Sequence, residues 1–458
     1  MNVEGKSSAL ALLAAQARRI TLDELPADVR RQGALCILDT IGCMIAGTAT
    51  PEARMLYGCE SEHQGGPAAV VPGTDWSLGL YAALRANGYL GDILELNDLI
   101  GGHASIGNVT AALALAEVQG ASGAALLEAA IRGVEITTRV YAAVYPSLKR
   151  FTEVGMVPVG IPSSVGAAAA AARLLDLDEG QTRHAMAIAG AMAGWCPAEV
   201  IFGDGGTMKP LLFGAQPAAV AVKAAFDARN GMTGPQHLLD SKLGYFNTVS
   251  VGGSLDDAPA RAWALAAPRR KLHACCGYIH APVDAVAQLR PQLARGFAGG
   301  TLQVHVAPYV ADVVSKAAPP NSPNDARFHL QYCLAIVMQG GDTIRPEHSI
   351  RMGEHLADPA IVQAMGRVTV VADPTLNHYH QCKAVFTAAD GRQYIQAPAG
   401  PRGSAQCPLS DDEVVAKFVS LAEPVLGRAR AEQVVQVLTR LEDLANVREL
   451  ARLLVPSA

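Results

Sequence analysis

Four loops in this sequence combine glycine or proline with polar side chains, and each leads directly into an apolar, helix-like stretch. The start of a helix presents unpaired N–H groups and a partial positive charge, so it favours anions. A lysine or histidine strengthens that preference, and four converging loops would form a small pocket suited to carboxylates. The polar side chains in these loops are, in chain order, Glu95, Asn97, Asp98 and His103, then Ser163, then Lys209, and finally Lys271 and His280.

Such a pocket suits carbon-acid chemistry. Removal of a proton beside a carboxylate adds negative charge to that group, and positioned cations stabilise this charge most in the transition state. A lysine or histidine with a shifted pKa can move the proton. From the residues alone, a structural role stays open for each candidate. Lys209 can solvate the chain, His103 can cap a backbone, Glu95 and Asp98 can be surface acids, and Tyr332 lies in an apolar segment typical of a core.

Two groups of histidines and cysteines have the chemistry of metal ligands. His378, His380 and Cys382 alternate along the chain and would share one face of a strand. The second group lies within residues 273–280. Neither spacing matches a zinc motif, so we predict no metal site. The glycine-rich segment at 203–210 lacks the order of a nucleotide-binding loop, because a proline follows its lysine.

The elements that must position these loops change in type along the chain. The first 250 or so residues consist of long alanine- and leucine-rich stretches, which favour helices. From Gly300 the pattern becomes strand-like, with further strands predicted at Arg367–Ala372 and Cys382–Ala388 and a hairpin turn at Asp390–Gly391. Helices return after Ser410, a good N-cap. The predicted fold class is mainly α with an α+β lid. The predicted domains are a helical domain over 1–264, the lid over 265–400, and C-terminal helices over 401–458 that return to the helical domain.

Composition narrows the class of protein. The chain has 458 residues, of which 50% are hydrophobic and 17% charged, and this excludes a disordered protein. Its 37 basic and 42 acidic residues give a net charge of −5, which argues against nucleic acid as a partner. Nine scattered cysteines form no CxxC pair, and no apolar run reaches the length of a membrane span. The signal-like N-terminus also reads as an amphipathic helix, so we expect a cytoplasmic protein without membrane contact.

Short motifs along nearly the whole chain resemble, in their order and spacing, those of the MmgE/PrpD family. The family includes dehydratases, decarboxylases and epimerases of small carboxylic acids. The segments that carry the resemblance are Cys36–Gly42, Asn87–Glu117, Gly133–Glu135 with Arg139, Gly166–Ala170, Met208–Leu211, Gly231–Pro235, Lys271–Asp284, Ala326–Tyr332, Asp390–Gly391, Pro408–Asp411 and Lys417–Phe418.

The resemblance implies a helical domain and a smaller α+β lid with the site between them, a homodimer, and activity on a small carboxylate substrate without metal or organic cofactor. It places the catalytic residues at His103, Lys209, Lys271 and Tyr332. The stretch Leu94–Asp98, with Glu95, Asn97 and Asp98, is expected to face the substrate, and His280 to contribute to the same site. In this scheme the lysines hold carboxylates, either being a base if burial lowers its pKa, and Tyr332 donates a hydrogen bond or a proton.

Several positions depart from the family pattern. Glu95 stands where the family has Asp, Leu99 where it has Thr, and Ala104 where it has Pro. Val157 and Leu212 occupy positions of family histidines. A pocket with these aliphatic residues is drier and has fewer hydrogen-bond donors, which suits a less charged substrate.

The leading functional hypothesis is therefore a cofactor-independent lyase that abstracts a proton beside a carboxylate of a small di- or tricarboxylic acid. Dehydration of a 2-hydroxy acid, as in 2-methylcitrate dehydratase, is the first prediction. Epimerisation or isomerisation is the near alternative, since the same abstraction step serves both, and decarboxylation is the third. A different class of function is a non-catalytic family member that only binds a carboxylate or a partner protein.

Overall fold

The computed structural model describes residues 7–62, 65–157, 159–202, 206–255, 263–293 and 296–457. Helices dominate the chain up to residue 250. In chain order they are α1 (Ala9–Arg19), α2 (Ala27–Gly47), α3 (Glu52–Ser61), α4 (Leu80–Asp92), α5 (Ala104–Gln119), α6 (Gly123–Ala142), α7 (Phe151–Val154), α8 (Gly160–Leu174), α9 (Glu179–Ala191), α10 (Ala198–Phe202), α11 (Met208–Pro210), α12 (Gln216–Arg229) and α13 (Tyr245–Val249), with a small antiparallel pair of strands, β1 (Ala68–Val70) and β2 (Ser77–Gly79).

The alanine-rich helix α8 is the centre of this helical part. Its residues Ala167–Ala172 are completely buried or nearly so, and α8 packs against α5, α6, α9 and α12. Alanine side chains let several helices approach one axis closely, so the sequence pattern that predicts a helix here also explains how it becomes the innermost one.

The lid follows in the chain and contains a four-stranded mixed sheet. The sheet order is β4 (Val368–Ala372), β3 (Thr301–Val306), β5 (Cys382–Thr387) and β6 (Gln393–Gln396), with β3 parallel to β4 and antiparallel to β5. Gly391 has a φ of +85° in the hairpin between β5 and β6, which fits the predicted turn. The elements of the lid are α14 (Gly277–Leu289), β3 (Thr301–Val306), α15 (Pro308–Val314), α16 (Pro323–Arg327), α17 (Leu330–Met338), α18 (Pro346–Ile350), α19 (Met352–Leu356), α20 (Pro359–Met365), β4 (Val368–Ala372), β5 (Cys382–Thr387) and β6 (Gln393–Gln396).

Three helices complete the chain: α21 (Asp411–Leu426), α22 (Arg428–Thr439) and α23 (Val447–Leu453). Ser410 caps α21, as its sequence signal predicts, and the structure adds a capping box with Glu413. Apolar residues of these helices, such as Phe418, share a core with α2, α5 and α6, while the lid has a separate core between α14, α17 and its sheet. The predicted fold class, mainly α with an α+β lid, is confirmed. The sequence-based domain limits stay a prediction.

Among the described helices, none is by itself long and apolar enough to cross a membrane. One pair, α2 with α3, passes that test by length and composition, but it is bent by 96°.

A close backbone contact positions the third loop. Gly88 in α4 and Gly214, in a π-helical turn at Leu211–Ala215, approach so closely that a Cβ on Gly214 would lie 2.0 Å from the carbonyl oxygen of Gly88. The π-turn follows directly after α11, which carries Lys209. Because only glycine permits this approach, it sets the short helix beside the end of α4.

Candidate active site

The loop between α4 and α5 is tightly folded around Asp98. The Asp98 carboxylate accepts hydrogen bonds from the backbone N–H groups of Ile100 and Ser105, each at 3.2 Å. Glu95 and His103 have φ values of +53° and +76°, a region that non-glycine residues rarely occupy. Backbone strain of this kind persists where the surrounding structure over-determines it, often at functional sites. Through its two hydrogen bonds to backbone N–H groups, Asp98 holds this strained loop in its shape.

Glu95 lies between two lysines from distant parts of the chain. The Nζ atom of Lys271 is 2.6 Å from Oε2 of Glu95, and Lys209 forms an ion pair with Oε1. Lys209 also lies 2.8 Å from Oδ2 of Asp92, the last residue of α4. All four side chains are at most 3% exposed. The structure thus brings together three of the loops that the sequence singled out.

The charge states in this cluster follow from burial and pairing. Burial alone would raise the pKa of Glu95, but Lys209 and Lys271 outweigh it and lower that pKa below its ordinary value. Burial raises the pKa of Asp92 despite the opposing effect of Lys209. The two carboxylates also outweigh the desolvation of Lys209, and the pKa of its ammonium group is raised. Lys209 is therefore a cation in this arrangement, not a base.

His103 is held by a chain of hydrogen bonds. The Nδ2 group of Asn97 donates to Oδ1 of Asp92 over 3.0 Å, which leaves the amide oxygen of Asn97 facing Nδ1 of His103, also at 3.0 Å. Nδ1 must therefore carry the proton, and Nε2 has the lone pair. Burial, followed by the charges of Lys271 and Lys209, lowers the pKa of His103 well below its ordinary value. The imidazole is thus neutral, with Nε2 able to accept a proton.

An apolar wall adjoins the charged cluster. Phe213 lies with its ring centre 4.9 Å from Nζ of Lys209 and 6.2 Å from the ring of His103. Leu212 packs in one small core with Phe213, and the partly buried Val157 packs against it. Val157 and Leu212, which the family resemblance places at positions of histidines, therefore both lie on the side of Phe213. They bring no hydrogen-bonding group to this wall.

Two predicted residues have other partners. The hydroxyl of Tyr332 donates to the carbonyl oxygen of His348 over 2.5 Å, inside the core of the lid. His280 is buried with Nε2 3.3 Å from the carbonyl oxygen of Cys275 and its ring against that of His273. Among the described contacts, neither side chain is joined directly to Glu95 or the two lysines.

Sequence reasoning gave no role to Lys417 of α21, although it connects several parts of the site. Its ammonium group donates to the carbonyl oxygens of Leu96 and Lys271, both at 2.8 Å, and pairs with Asp39 at 2.7 Å. One buried cation thus joins α2, the loop that carries Glu95 and the segment that carries Lys271. Its place in the segment Lys417–Phe418, one of those that carry the family resemblance, was the sequence signal that could have found it.

The Lys417→Met variant is expected to lower the free energy of unfolding by about 3–5 kcal/mol, because it leaves the buried carboxylate of Asp39 without its partner. Urea unfolding followed by circular dichroism measures this. The matched control is Lys383→Met on the exposed side of β5, where we expect a change within about 0.5 kcal/mol. Equal stability of the two variants would contradict the role of Lys417.

The fold and this site define a two-domain protein with a buried lysine–carboxylate–histidine cluster. The sequence matches the MmgE/PrpD N-terminal domain over residues 11–257 and the MmgE/PrpD C-terminal domain over residues 273–443, so the chain belongs to the MmgE/PrpD family. The family resemblance of its motifs is thereby confirmed.

Curated relatives cover nearly the full chain at low identity. A cis-aconitate decarboxylase-like protein, oryM, of Aspergillus oryzae is 26% identical over 94% of both chains. A cis-aconitate decarboxylase of Aspergillus terreus is 24% identical over 96% of this chain and 94% of its own. The cis-aconitate decarboxylase of Mus musculus is 26% identical over 95% of this chain and 91% of its own.

Proposed function

We propose that this protein is a lyase that generates negative charge beside a carboxylate of a small di- or tricarboxylic acid, with decarboxylation of cis-aconitate or a close analogue as the first candidate reaction. The observation that carries the proposal is the buried cluster in which Lys209 and Lys271 flank Glu95 next to His103. The names of the relatives support decarboxylation ahead of dehydration, which reverses the order that the sequence alone suggested.

The two lysines suit the recognition of an anion. An ammonium group has three donors, and among the described residues Lys209 uses two, on Asp92 and Glu95, while Lys271 uses one, on Glu95. The remaining donors can hold a substrate carboxylate. In decarboxylation the bond to the departing carboxylate breaks, CO₂ leaves, and the electron pair spreads onto a neighbouring carboxylate held by these cations. A proton then adds to carbon and completes the product.

His103 is the group best placed to exchange that proton. A bound polycarboxylate adds negative charge beside the imidazole and raises its pKa, which lets His103 deliver a proton within the complex. Before substrate binds, the imidazole is neutral with a lone pair on Nε2. This state also suits removal of a proton from carbon, and it supports dehydration, or epimerisation, as the second candidate.

The Asn97→Ala variant is expected to lower kcat by about 10–100-fold with little change in KM, since Asn97 orients the histidine and its amide is already used by Asp92 and His103. Steady-state kinetics on whichever acid is turned over measures the two constants. The exposed residue Asn230, changed to Ala, is the control and should leave both near the wild-type values. A rise in KM at constant kcat would instead make Asn97 a substrate ligand.

Proton NMR in deuterated buffer tests the proposed function. The protein is mixed separately with cis-aconitate, trans-aconitate, citrate, 2-methylcitrate and iminodisuccinate. A new methylene signal with CO₂ release supports the decarboxylase, loss of water the dehydratase, and exchange without a new product the epimerase. If no acid reacts or exchanges while one of them still raises the Tm, the lyase proposal fails and the protein is a carboxylate binder.

A further inference from the structure

A buried arginine in the lid lacks partners for most of its donors. Arg327, at the end of α16, is 1% exposed and is among the largest fully buried side chains described. Its Nε group donates to the hydroxyl of Ser349 over 3.0 Å. Within the part of the chain that the structure describes, neither Nη1 nor Nη2 has a hydrogen-bond partner. Four of the five N–H donors of a permanent cation are thus held out of water without an acceptor.

Leaving a buried guanidinium unsatisfied is costly, because the charged group has lost its water and gained no acceptor in return. Burial indeed lowers the pKa of Arg327, although Glu52, Glu95, Tyr89 and Asp92 act in the opposite direction. Three of these four groups belong to α4 or to the loop that follows it. The guanidinium therefore lies close enough to the lysine–carboxylate cluster to interact with it, yet it forms no salt bridge there among the described residues.

Backbone contacts fix Arg327 at this place. Its carbonyl oxygen accepts a hydrogen bond from the N–H of Cys276 over 2.9 Å. Cys276 is the N-cap of α14 and follows Lys271 by five residues, and Glu95 and Lys271 are among the charges that shift its pKa. The next residue, Phe328, packs on Phe202 at 5.4 Å between ring centres, and Phe202 lies against Phe213 of the apolar wall. The lid segment that carries Arg327 thus borders the cluster.

We propose that Arg327 binds a carboxylate of the substrate other than the one held by the two lysines, and so selects acids with an additional carboxylate. This inference rests on the proposed function. The terminal nitrogens Nη1 and Nη2 of a guanidinium match the two oxygens of a carboxylate in a bidentate pair. Such a ligand supplies the acceptors that the described protein groups lack. Arg327 lies in the Ala326–Tyr332 motif, so the part of that motif directed to the substrate is the arginine rather than the tyrosine that the sequence suggested.

Calorimetric titration with non-reacting acids tests the assignment. Propane-1,2,3-tricarboxylate is the full probe, while glutarate lacks its central carboxylate and methylsuccinate lacks a terminal one. For the wild-type protein, at least one dicarboxylate should bind about 30-fold more weakly, or worse, than the tricarboxylate. The Arg327→Met variant should bind the tricarboxylate about 30-fold more weakly than the wild type does. Its affinities for the tricarboxylate and for the same dicarboxylate should then differ by no more than about threefold.

A second measurement separates ligand binding from a structural role. Because the unpartnered cation costs stability, we expect Arg327→Met to have a Tm equal to or above that of the wild type. The control is Arg351→Met, an exposed arginine of the lid paired with Glu354, which should change neither discrimination nor Tm. Two results would overturn the role of Arg327 and leave the proposed function standing. One is discrimination by Arg327→Met that equals that of the wild type, and the other is a loss of discrimination that comes with a marked fall in Tm. Failure of the wild type to bind any of these acids overturns the proposed function as well.

Discussion

Replacement of His103 by Gln is expected to lower kcat by about 10²–10⁴-fold, because it removes the nitrogen that exchanges a proton with carbon. Glutamine has a side chain of similar length that can still donate a hydrogen bond to Asn97. It cannot take up and release a proton. The effect holds for decarboxylation and for dehydration, since each needs one proton transfer at carbon. Steady-state rates with the acid that NMR identifies give the comparison.

The matched control is His305→Gln. His305 lies on β3, partly exposed and paired with Asp373 at 3.1 Å, inside the lid. Its replacement should leave kcat within about twofold of the wild-type value, because it touches none of the cluster. Should His103→Gln keep more than a tenth of the wild-type kcat, proton transfer would have to be assigned to another group, with Lys271 next in order because Lys209 is held as a cation by Asp92 and Glu95.

The Lys209→Met variant should lose about 10²–10³-fold in kcat, as expected when one positioned donor to developing negative charge is removed. It should also lose about 3–5 kcal/mol of stability, because Asp92 and Glu95 then face each other in a buried site without their shared cation. Both effects have one cause, and a loss of activity by itself would not distinguish catalysis from unfolding.

The double variant Lys209→Met with Asp92→Asn separates the two effects. Removal of one carboxylate charge relieves the repulsion, so most of the lost stability should return while activity stays low. Lys223→Met, at an exposed i,i+4 pair with Asp227, is the control for loss of a surface lysine and should be close to the wild type. Recovery of kcat together with stability in the double variant would show that Lys209 is only a structural cation.

Local signals in the sequence predicted much of the architecture. The N-cap at Ser410, the alternation at 301–306 and the turn at Asp390–Gly391 each act over a few residues, and the structure shows the expected element at all three. Pairing of strands is different. The parallel partner of β3 is β4, more than sixty residues later in the chain, and nothing in either segment alone specifies this choice.

The candidate site could be predicted only in part, because local sequence signals do not specify long-range contacts. Helix starts and lysines are visible in the sequence, and three of the four loops meet at Glu95. However, Lys271 and Glu95 are 176 residues apart in the chain. Their contact depends on how the first residues of the lid pack on the helical domain. The hydrogen bonds of Asn97 and Lys417, and the different surroundings of Tyr332 and Arg327, are set by such long-range packing. Residue type and spacing could not distinguish them.

In the proposed function, this cluster stabilises negative charge and exchanges a proton at a carbon beside a carboxylate. The most direct measurement is the reaction of cis-aconitate with the wild-type protein in deuterated buffer, followed by NMR, with His103→Gln run in parallel. We expect CO₂ release and one solvent deuterium on a product carbon, with both lost together in the variant. Equal deuterium incorporation by the two proteins, or none with any acid of the panel, would contradict the claim.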